Sequence, residues 1–286
     1  MEWRVKAEDG RILAVDDIGD RADPPVLVHV GSPNSRHLYG RTVADAAARG
    51  LRLISYDRPG YGKSTPLPGR TMADCAADVR AICAALDIER LVTWRQSGGG
   101  PHALACAALL PDLVVAAASL CSPAPYDAEG LDWLAGMGPG AEDDVRLMFD
   151  DRDAARAAFV AEREQLLAVS PAELAQQWKE TSPDADLALL TDEAICVQQA
   201  LAGGVEGFYE DNWAQLLPWG FDPAYISVPV LLLHGRRDQS VPVSHGQWLA
   251  DHITGVEARF YQDEGHELRE NHIGDVHAWL TQWLET

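Results

Sequence analysis

Short apolar runs alternate along the chain with longer stretches in which every third or fourth residue is apolar. The first pattern is typical of buried strands and the second of amphipathic helices, so their alternation predicts an α/β protein with a mostly parallel sheet. The apolar runs predict eight strands, at 3–7, 11–18, 26–30, 52–56, 91–94, 114–120, 230–234 and 258–261. An Asp9-Gly10 turn between the first two predicts an antiparallel hairpin. Helices are predicted between the strands, at 37–49, 72–86, 99–110, 244–253 and 271–284.

The alternation stops after the sixth predicted strand. The pattern there is helical, and Ser-Pro pairs at 170–171 and 182–183 suit helix starts. No strand-like run interrupts the helical pattern. We therefore expect a helical cap domain at 127–219, inserted into a core domain formed by 1–126 and 220–286.

Charge marks the same segment independently. The chain carries 44 acidic and 23 basic residues, a formal net charge of −21, and residues 127–215 alone carry 20 acidic and 5 basic ones. A protein this acidic repels phosphate-rich partners, so we expect no nucleic-acid partner. Most of the excess charge belongs to the predicted cap.

Composition sets further limits. A chain of 286 residues, 47% hydrophobic, can bury one large core with an insertion. Its N-terminus has no apolar signal core, and the weakly charged stretch 96–126 is broken by Gly and Pro, so we expect a cytoplasmic protein without a membrane partner. The five cysteines and nine histidines show no metal-ligand spacing, and we expect neither a metal nor a cofactor. No feature of the sequence indicates an oligomeric state.

Three residues with complementary chemistry each follow a predicted strand. Ser97 lies on a Gly-rich turn between a strand and a helix, Asp238 follows the strand at 230–234, and His266 follows the last strand. The carboxyl ends of parallel strands meet at one edge of a sheet, where a Ser, an acid and a His can form a nucleophilic triad. The chain order Ser, acid, His is the one found with a strand-turn-helix nucleophile.

With these motifs the sequence resembles the α/β-hydrolase superfamily, in particular its cap-bearing esterase, lactonase and proline-iminopeptidase-like branch. The resemblance covers nearly the whole chain. It rests on the segments Val30-Gly31-Ser32-Pro33, Asp57-Arg58-Pro59-Gly60-Tyr61-Gly62-Lys63-Ser64, Ser97-Gly98-Gly99-Gly100-Pro101-His102, Pro218-Trp219-Gly220-Phe221, Gly235-Arg236-Arg237-Asp238 and Glu264-Gly265-His266.

The resemblance implies an α/β-hydrolase fold and a role for each site residue. Ser97 would be the nucleophile, His266 the general base and then acid, and Asp238 the group that orients His266. The backbone N–H groups of Ser32 and Gly98 would form the oxyanion hole.

Arg95 departs from the family pattern, because it stands where the nucleophile motif has its first glycine. Three interpretations are open. A compensating pocket absorbs the side chain; or the guanidinium reaches the site and binds a substrate carboxylate or enolate; or the turn is altered enough to abolish hydrolysis. Gln96 beside it, and the aromatic residues Trp133, Phe208 and Trp213 of the insertion, are further candidates for substrate binding.

The expected function is that of a serine hydrolase acting on an ester, lactone or related acyl compound, a small molecule, through a Ser97 acyl-enzyme. Two alternatives remain. One is a non-hydrolytic lyase, isomerase or cyclase of a biosynthetic pathway on the same fold, and the other is a catalytically silent ligand-binding protein.

Overall fold

The computed structural model describes residues 1–181 and 185–284. Its eight strands form one sheet in the order β1-β2-β4-β3-β5-β6-β7-β8. The strand bounds are β1 Glu2–Lys6, β2 Ile12–Ile18, β3 Pro25–Val28, β4 Arg52–Tyr56, β5 Leu91–Gln96, β6 Val114–Leu120, β7 Val230–Gly235 and β8 Glu257–Tyr261. Strand β2 pairs antiparallel with β1 and β4, and all other pairs are parallel. The predicted fold class is confirmed.

The described residues also form ten α-helices. Their bounds are α1 Gly40–Ala48, α2 Cys75–Leu86, α3 Gly100–Leu109, α4 Ala141–Asp150, α5 Arg152–Leu167, α6 Pro171–Thr181, α7 Leu187–Leu201, α8 Glu206–Leu216, α9 Val243–His252 and α10 Arg269–Thr281. Short 3₁₀ turns occupy Ser97–Gly99 and Pro223–Tyr225. None of the described helices is long and apolar enough to cross a membrane.

Two apolar layers hold the helices on the sheet. Leu27, Ile54 and Leu91 face the layer shared with α2, α3 and α9. Val26, Val28 and Trp94 face the opposite layer, shared with α1 and α10. Neighbouring residues of one strand face opposite layers because strand side chains alternate between the two faces.

Helices α4 to α8 follow one another between β6 and β7, and the described residues of this segment contain no strand. The Ser-Pro pair at 170–171 opens α6, which begins at Pro171. The pair at 182–183 lies outside the described residues. The division into a core and a cap at 127–219 stays a prediction.

Candidate active site

Ser97 lies directly after β5, at the carboxyl edge of the sheet. Its backbone has φ 59°, a left-handed conformation that costs energy for a residue with a side chain. Glycines next to Ser97 allow the turn to pack closely against the neighbouring chain. A Cβ atom on Gly100, for example, would overlap the side chain of Ser122. The Ser97 hydroxyl therefore lies at a strained strand-to-helix turn, followed by the amino terminus of α3.

Asp238 and His266 lie together at the same edge. His266 Nδ1 is 2.8 Å from Asp238 Oδ2, while Asp238 Oδ1 accepts hydrogen bonds from the backbone N–H groups of Ser240 at 2.9 Å and Val241 at 2.8 Å. Burial raises the pKa of Asp238, but the hydrogen bond and charge of His266 outweigh burial and the net pKa is lowered. Asp238 is therefore an anchored carboxylate.

The environment of His266 favours its protonated form. Burial lowers the pKa of His266, but the hydrogen bond and charge of Asp238 outweigh this and raise it above its ordinary value. Asp238 engages Nδ1, which leaves Nε2 for a proton-transfer partner. The Ser97 hydroxyl makes no hydrogen bond with any described residue, His266 included; catalytic hydrogen bonds of this kind often tighten only with substrate bound.

The two candidate oxyanion-hole residues are neighbours. A Cβ atom on Gly98 would lie 3.3 Å from Ser32 Cβ and 3.7 Å from Ser32 N. The same position lies 3.7 Å from Gln215 Nε2 on α8. The loop after β3, the turn after β5 and helix α8 thus converge at one point.

A buried ionic network behind this point was not expected from the sequence. Arg58 donates to the carbonyls of Val30 and Gly31, and its guanidinium is paired with Asp211 of α8. Tyr61 Oη donates to Asp211 Oδ2 at 2.9 Å. Burial raises the pKa of Asp211, but the charges of Arg58 and a second arginine outweigh it and hold the pKa well below its ordinary value.

The second arginine is Arg70, whose Nη1 lies 2.5 Å from Asp211 Oδ1. Two glycines allow α8 to approach, because a Cβ atom on Gly207 would lie only 2.6 Å from the backbone of Gly60. The glycine-rich loop at 57–64 was the signal available in the sequence, but nothing in it indicated a carboxylate from the distant helix.

Arg95 and Gln96 both continue β5, beyond its predicted end at 94. Gln96 is buried, and its Oε1 accepts a hydrogen bond from Arg269 N at 3.3 Å, so this side chain is engaged within the protein. Arg95 is buried as well, and its guanidinium carbon lies 5.6 Å from the centre of the Tyr39 ring. Burial, together with the charge of Arg269, lowers the pKa of Arg95. Substrate binding by either residue stays a prediction.

A cavity of about 300 Å³ lies among the helices between β6 and β7. Of the three candidate aromatic residues, Trp133 and Phe208 line it and Trp213 does not. Trp213 packs instead against Phe149, with ring centres 5.5 Å apart. Gln215 lines the cavity and also approaches Gly98, whereas the lining includes none of the three triad candidates.

Cys121, Asp238 and His266 present atoms that could bind a metal within 4.8 Å of one another. The hydrogen bond between His266 Nδ1 and Asp238 Oδ2 already uses the facing atoms of two of these residues. The group thus belongs to the site just described, and it carries no separate metal assignment.

Comparison with known proteins supports the fold described above. A family model described as the alpha/beta hydrolase fold matches residues 24–272. The chain is 30% identical over 240 residues to a non-heme chloroperoxidase from Streptomyces lividans, and the match covers 83% of each chain. It is 27% identical over 248 residues to a bifunctional esterase/perhydrolase from Acinetobacter calcoaceticus, again with 83% of each chain covered. Among solved structures, a bromoperoxidase from Bacillus anthracis superimposes with a TM-score of 0.71 at 18% identity and 100% coverage of both chains, a similarity of fold.

Proposed function

We propose a function from one premise: the chain belongs to the α/β-hydrolase fold family. Its relatives include esterases and other hydrolases, and we infer a serine hydrolase of an ester, lactone or related acyl compound. The observation that carries this inference is the hydrogen bond of 2.8 Å between His266 Nδ1 and the anchored carboxylate of Asp238, at the same sheet edge as the strained Ser97.

In the proposed reaction, Ser97 Oγ attacks the acyl carbon while His266 Nε2 takes the hydroxyl proton. The electron pair of the carbonyl moves to its oxygen, and the N–H groups of Ser32 and Gly98 stabilise the resulting oxyanion. Collapse expels the leaving group, which takes the proton from His266, and leaves Ser97 acylated. Water, deprotonated by His266, then attacks the acyl carbon; the bond to Ser97 Oγ breaks, the acid is released, and Ser97 Oγ takes the proton back from His266. Asp238 stabilises the imidazolium in both steps without itself taking the proton.

The helices between β6 and β7 would serve as the cap over this site. The cavity among them is mostly apolar and includes Trp133 and Phe208, which suits an acyl chain or ring. Gln215 borders both this cavity and Gly98 and would therefore lie where the acyl chain leaves the reacting carbon. We propose residues 127–219 as the cap segment.

A fluorophosphonate label tests the nucleophile. The folded protein should be labelled on Ser97, and Ser97→Ala should abolish both labelling and hydrolysis of p-nitrophenyl acetate, whereas Ser227→Ala, at an exposed serine, should change neither. An unlabelled folded protein, measured beside a labelled control hydrolase, would refute the proposal. That result would favour the non-hydrolytic or ligand-binding alternatives on the same fold.

A further inference from the structure

Arg95 is a buried cation that pairs with no carboxylate among the described residues. Its side chain is only 3% exposed, its Nε atom is enclosed without a hydrogen bond, and no carboxylate of the described chain lies within 4 Å of its guanidinium. Four other buried arginines each pair with a carboxylate: Arg52, Arg58, Arg70 and Arg269. Since an arginine does not lose its proton in a protein, a buried guanidinium without an anion is costly. Arg95 is therefore the exception that requires a ligand.

The guanidinium lies beside the proposed oxyanion hole. The stem of Arg95 passes Gly99, where a Cβ atom would overlap Arg95 Cγ. Its Nη2 lies 3.7 Å from the position of a Cβ atom on Gly31, the residue before Ser32. Unlike Nε, the two terminal nitrogens are not among the enclosed atoms. These nitrogens make no hydrogen bond with a described residue, and Nη2 lies next to the loop that would hold the reacting carbonyl.

The charged residues around Arg95 do not provide its guanidinium with a paired carboxylate. Its neighbour Arg269 is already paired with two carboxylates, Glu267 Oε2 at 3.0 Å and Glu270 Oε1 at 2.9 Å. Glu193 on α7 also acts on Arg95 electrostatically, but burial and the charge of Glu267 raise the pKa of Glu193. The described residues thus supply a second cation at this point and no carboxylate in contact with Arg95.

We propose that Arg95 binds a carboxylate group carried by the substrate, so that the site acts on acyl compounds that are also carboxylic acids. This inference rests on the proposed hydrolase function and names its substrate class. A guanidinium binds a carboxylate through two parallel N–H···O bonds, a geometry that an ammonium cannot provide. The bound carboxylate would neutralise Arg95 and fix the direction in which the scissile carbonyl enters the oxyanion hole.

The acidic helical segment does not contradict this assignment. Its carboxylates are mostly exposed, and interactions between exposed charges weaken beyond about 8 to 10 Å at physiological salt. Arg95 acts at contact distance in a buried setting, where screening is weak. Long-range repulsion would slow the approach of an anion, whereas the local guanidinium would determine its binding.

A pair of esters matched in length tests the proposal. Mono(4-nitrophenyl) glutarate ends in a carboxylate and 4-nitrophenyl pentanoate ends in a methyl group. We expect the wild type to hydrolyse the glutarate ester with the higher kcat/KM, and Arg95→Gln to lower the ratio of the two kcat/KM values at least about tenfold. Arg80→Gln, at an exposed arginine paired with Asp112, should leave the ratio unchanged. An equal kcat/KM for the two esters in the wild type, or an unchanged ratio in Arg95→Gln, would overturn the proposal.

Two further measurements do not depend on the folding of Arg95→Gln. In the wild type, glutarate should compete with substrate and glutaramide should not; equal inhibition by both would overturn the proposal. Calorimetry on Ser97→Ala should show that glutarate binds more tightly than glutaramide, because only glutarate carries the carboxylates that a guanidinium binds; equal binding of the two would overturn the proposal. Since calorimetry requires no turnover, glutarate binding in a protein that fluorophosphonate does not label would refute only the proposed hydrolase function.

Discussion

The hydroxyl groups of Tyr61 and Ser32 lie 2.8 Å apart. Because Tyr61 Oη donates its proton to Asp211 Oδ2 at 2.9 Å, Ser32 Oγ donates to Tyr61. A residue of the proposed oxyanion hole is thereby joined through Tyr61 to helix α8. We infer that Tyr61 is a positioning residue, which holds the backbone of Ser32 where its N–H group can meet a developing negative charge.

Replacing Tyr61 by Phe tests this role. The change removes both hydrogen bonds and keeps the ring, so we expect kcat for p-nitrophenyl acetate to fall about threefold to tenfold, the equivalent of one lost hydrogen bond, while KM stays nearly constant. Steady-state kinetics with Tyr225→Phe, at a tyrosine that is 80% exposed, provide the control. An increase in KM with constant kcat would instead indicate a role in substrate binding.

The raised pKa of His266 predicts the pH dependence of activity. His266 must be neutral to accept the proton of Ser97, so kcat/KM should fall as the pH decreases through this pKa, with a midpoint above the ordinary histidine value of about 6.5. The charge of Glu267 raises the pKa of His266 and that of Arg269 lowers it. Glu267→Gln removes the negative charge and leaves the positive charge of Arg269 in place. We therefore expect the midpoint of the pH profile to move to lower pH.

A pH profile of kcat/KM for an uncharged ester measures this shift. Asp112→Asn removes an exposed carboxylate that is paired with Arg80, and should leave the midpoint in place. A midpoint that stays the same in Glu267→Gln would show that Glu267 does not set the protonation of His266.

The fold could be predicted because the spacing of apolar residues that is typical of strands and helices can be read from the sequence alone. All eight strands were predicted, but two ends were wrong by more than one residue: β3 stops at Val28 and not at 30, and β5, predicted to end at 94, continues through Arg95 and Gln96. Two polar residues signal the end of a strand, but here they pair in register with Ser119 and Leu120 of β6 and are buried. Tertiary burial overrode local polarity at this edge.

The candidate site was only partly predictable. Short motifs made Ser97 and His266 candidates; Ser97 follows β5 directly, and His266 lies in the loop after β8, which ends at Tyr261. The partnership of Arg58 with Asp211 spans 153 residues, and Asp211 lies in a segment with no recognisable motif. An acidic residue of an acidic helical segment is normally exposed; only the packing of α8 on the loop shows that this one is buried.

Asp211 should be essential for stability. Asp211→Ala leaves the guanidinium groups of Arg58 and Arg70 buried without their carboxylate, and removing one member of a buried ionic network typically costs about 3 to 5 kcal/mol. We expect a clear decrease in the denaturation midpoint, measured by urea unfolding at pH 7. Asp112→Ala breaks only an exposed pair and should shift the midpoint far less. Equal shifts in both variants would show that the buried network adds no stability.

The cavity among helices α4 to α8 should determine the acyl-chain preference. Ala155 of α5 lines it and is only 1% exposed, so Ala155→Leu adds methyl and methylene groups inside the space of about 300 Å³. Displacing two substrate methylenes from apolar contact costs about 1.6 kcal/mol, or roughly a tenfold rise in KM for p-nitrophenyl octanoate, whereas the acetate ester is too short to reach the substitution. Ala161→Leu, at an exposed position of the same helix, controls for general effects of the larger side chain. A rise of the same size for both esters would show that this cavity does not receive the acyl chain.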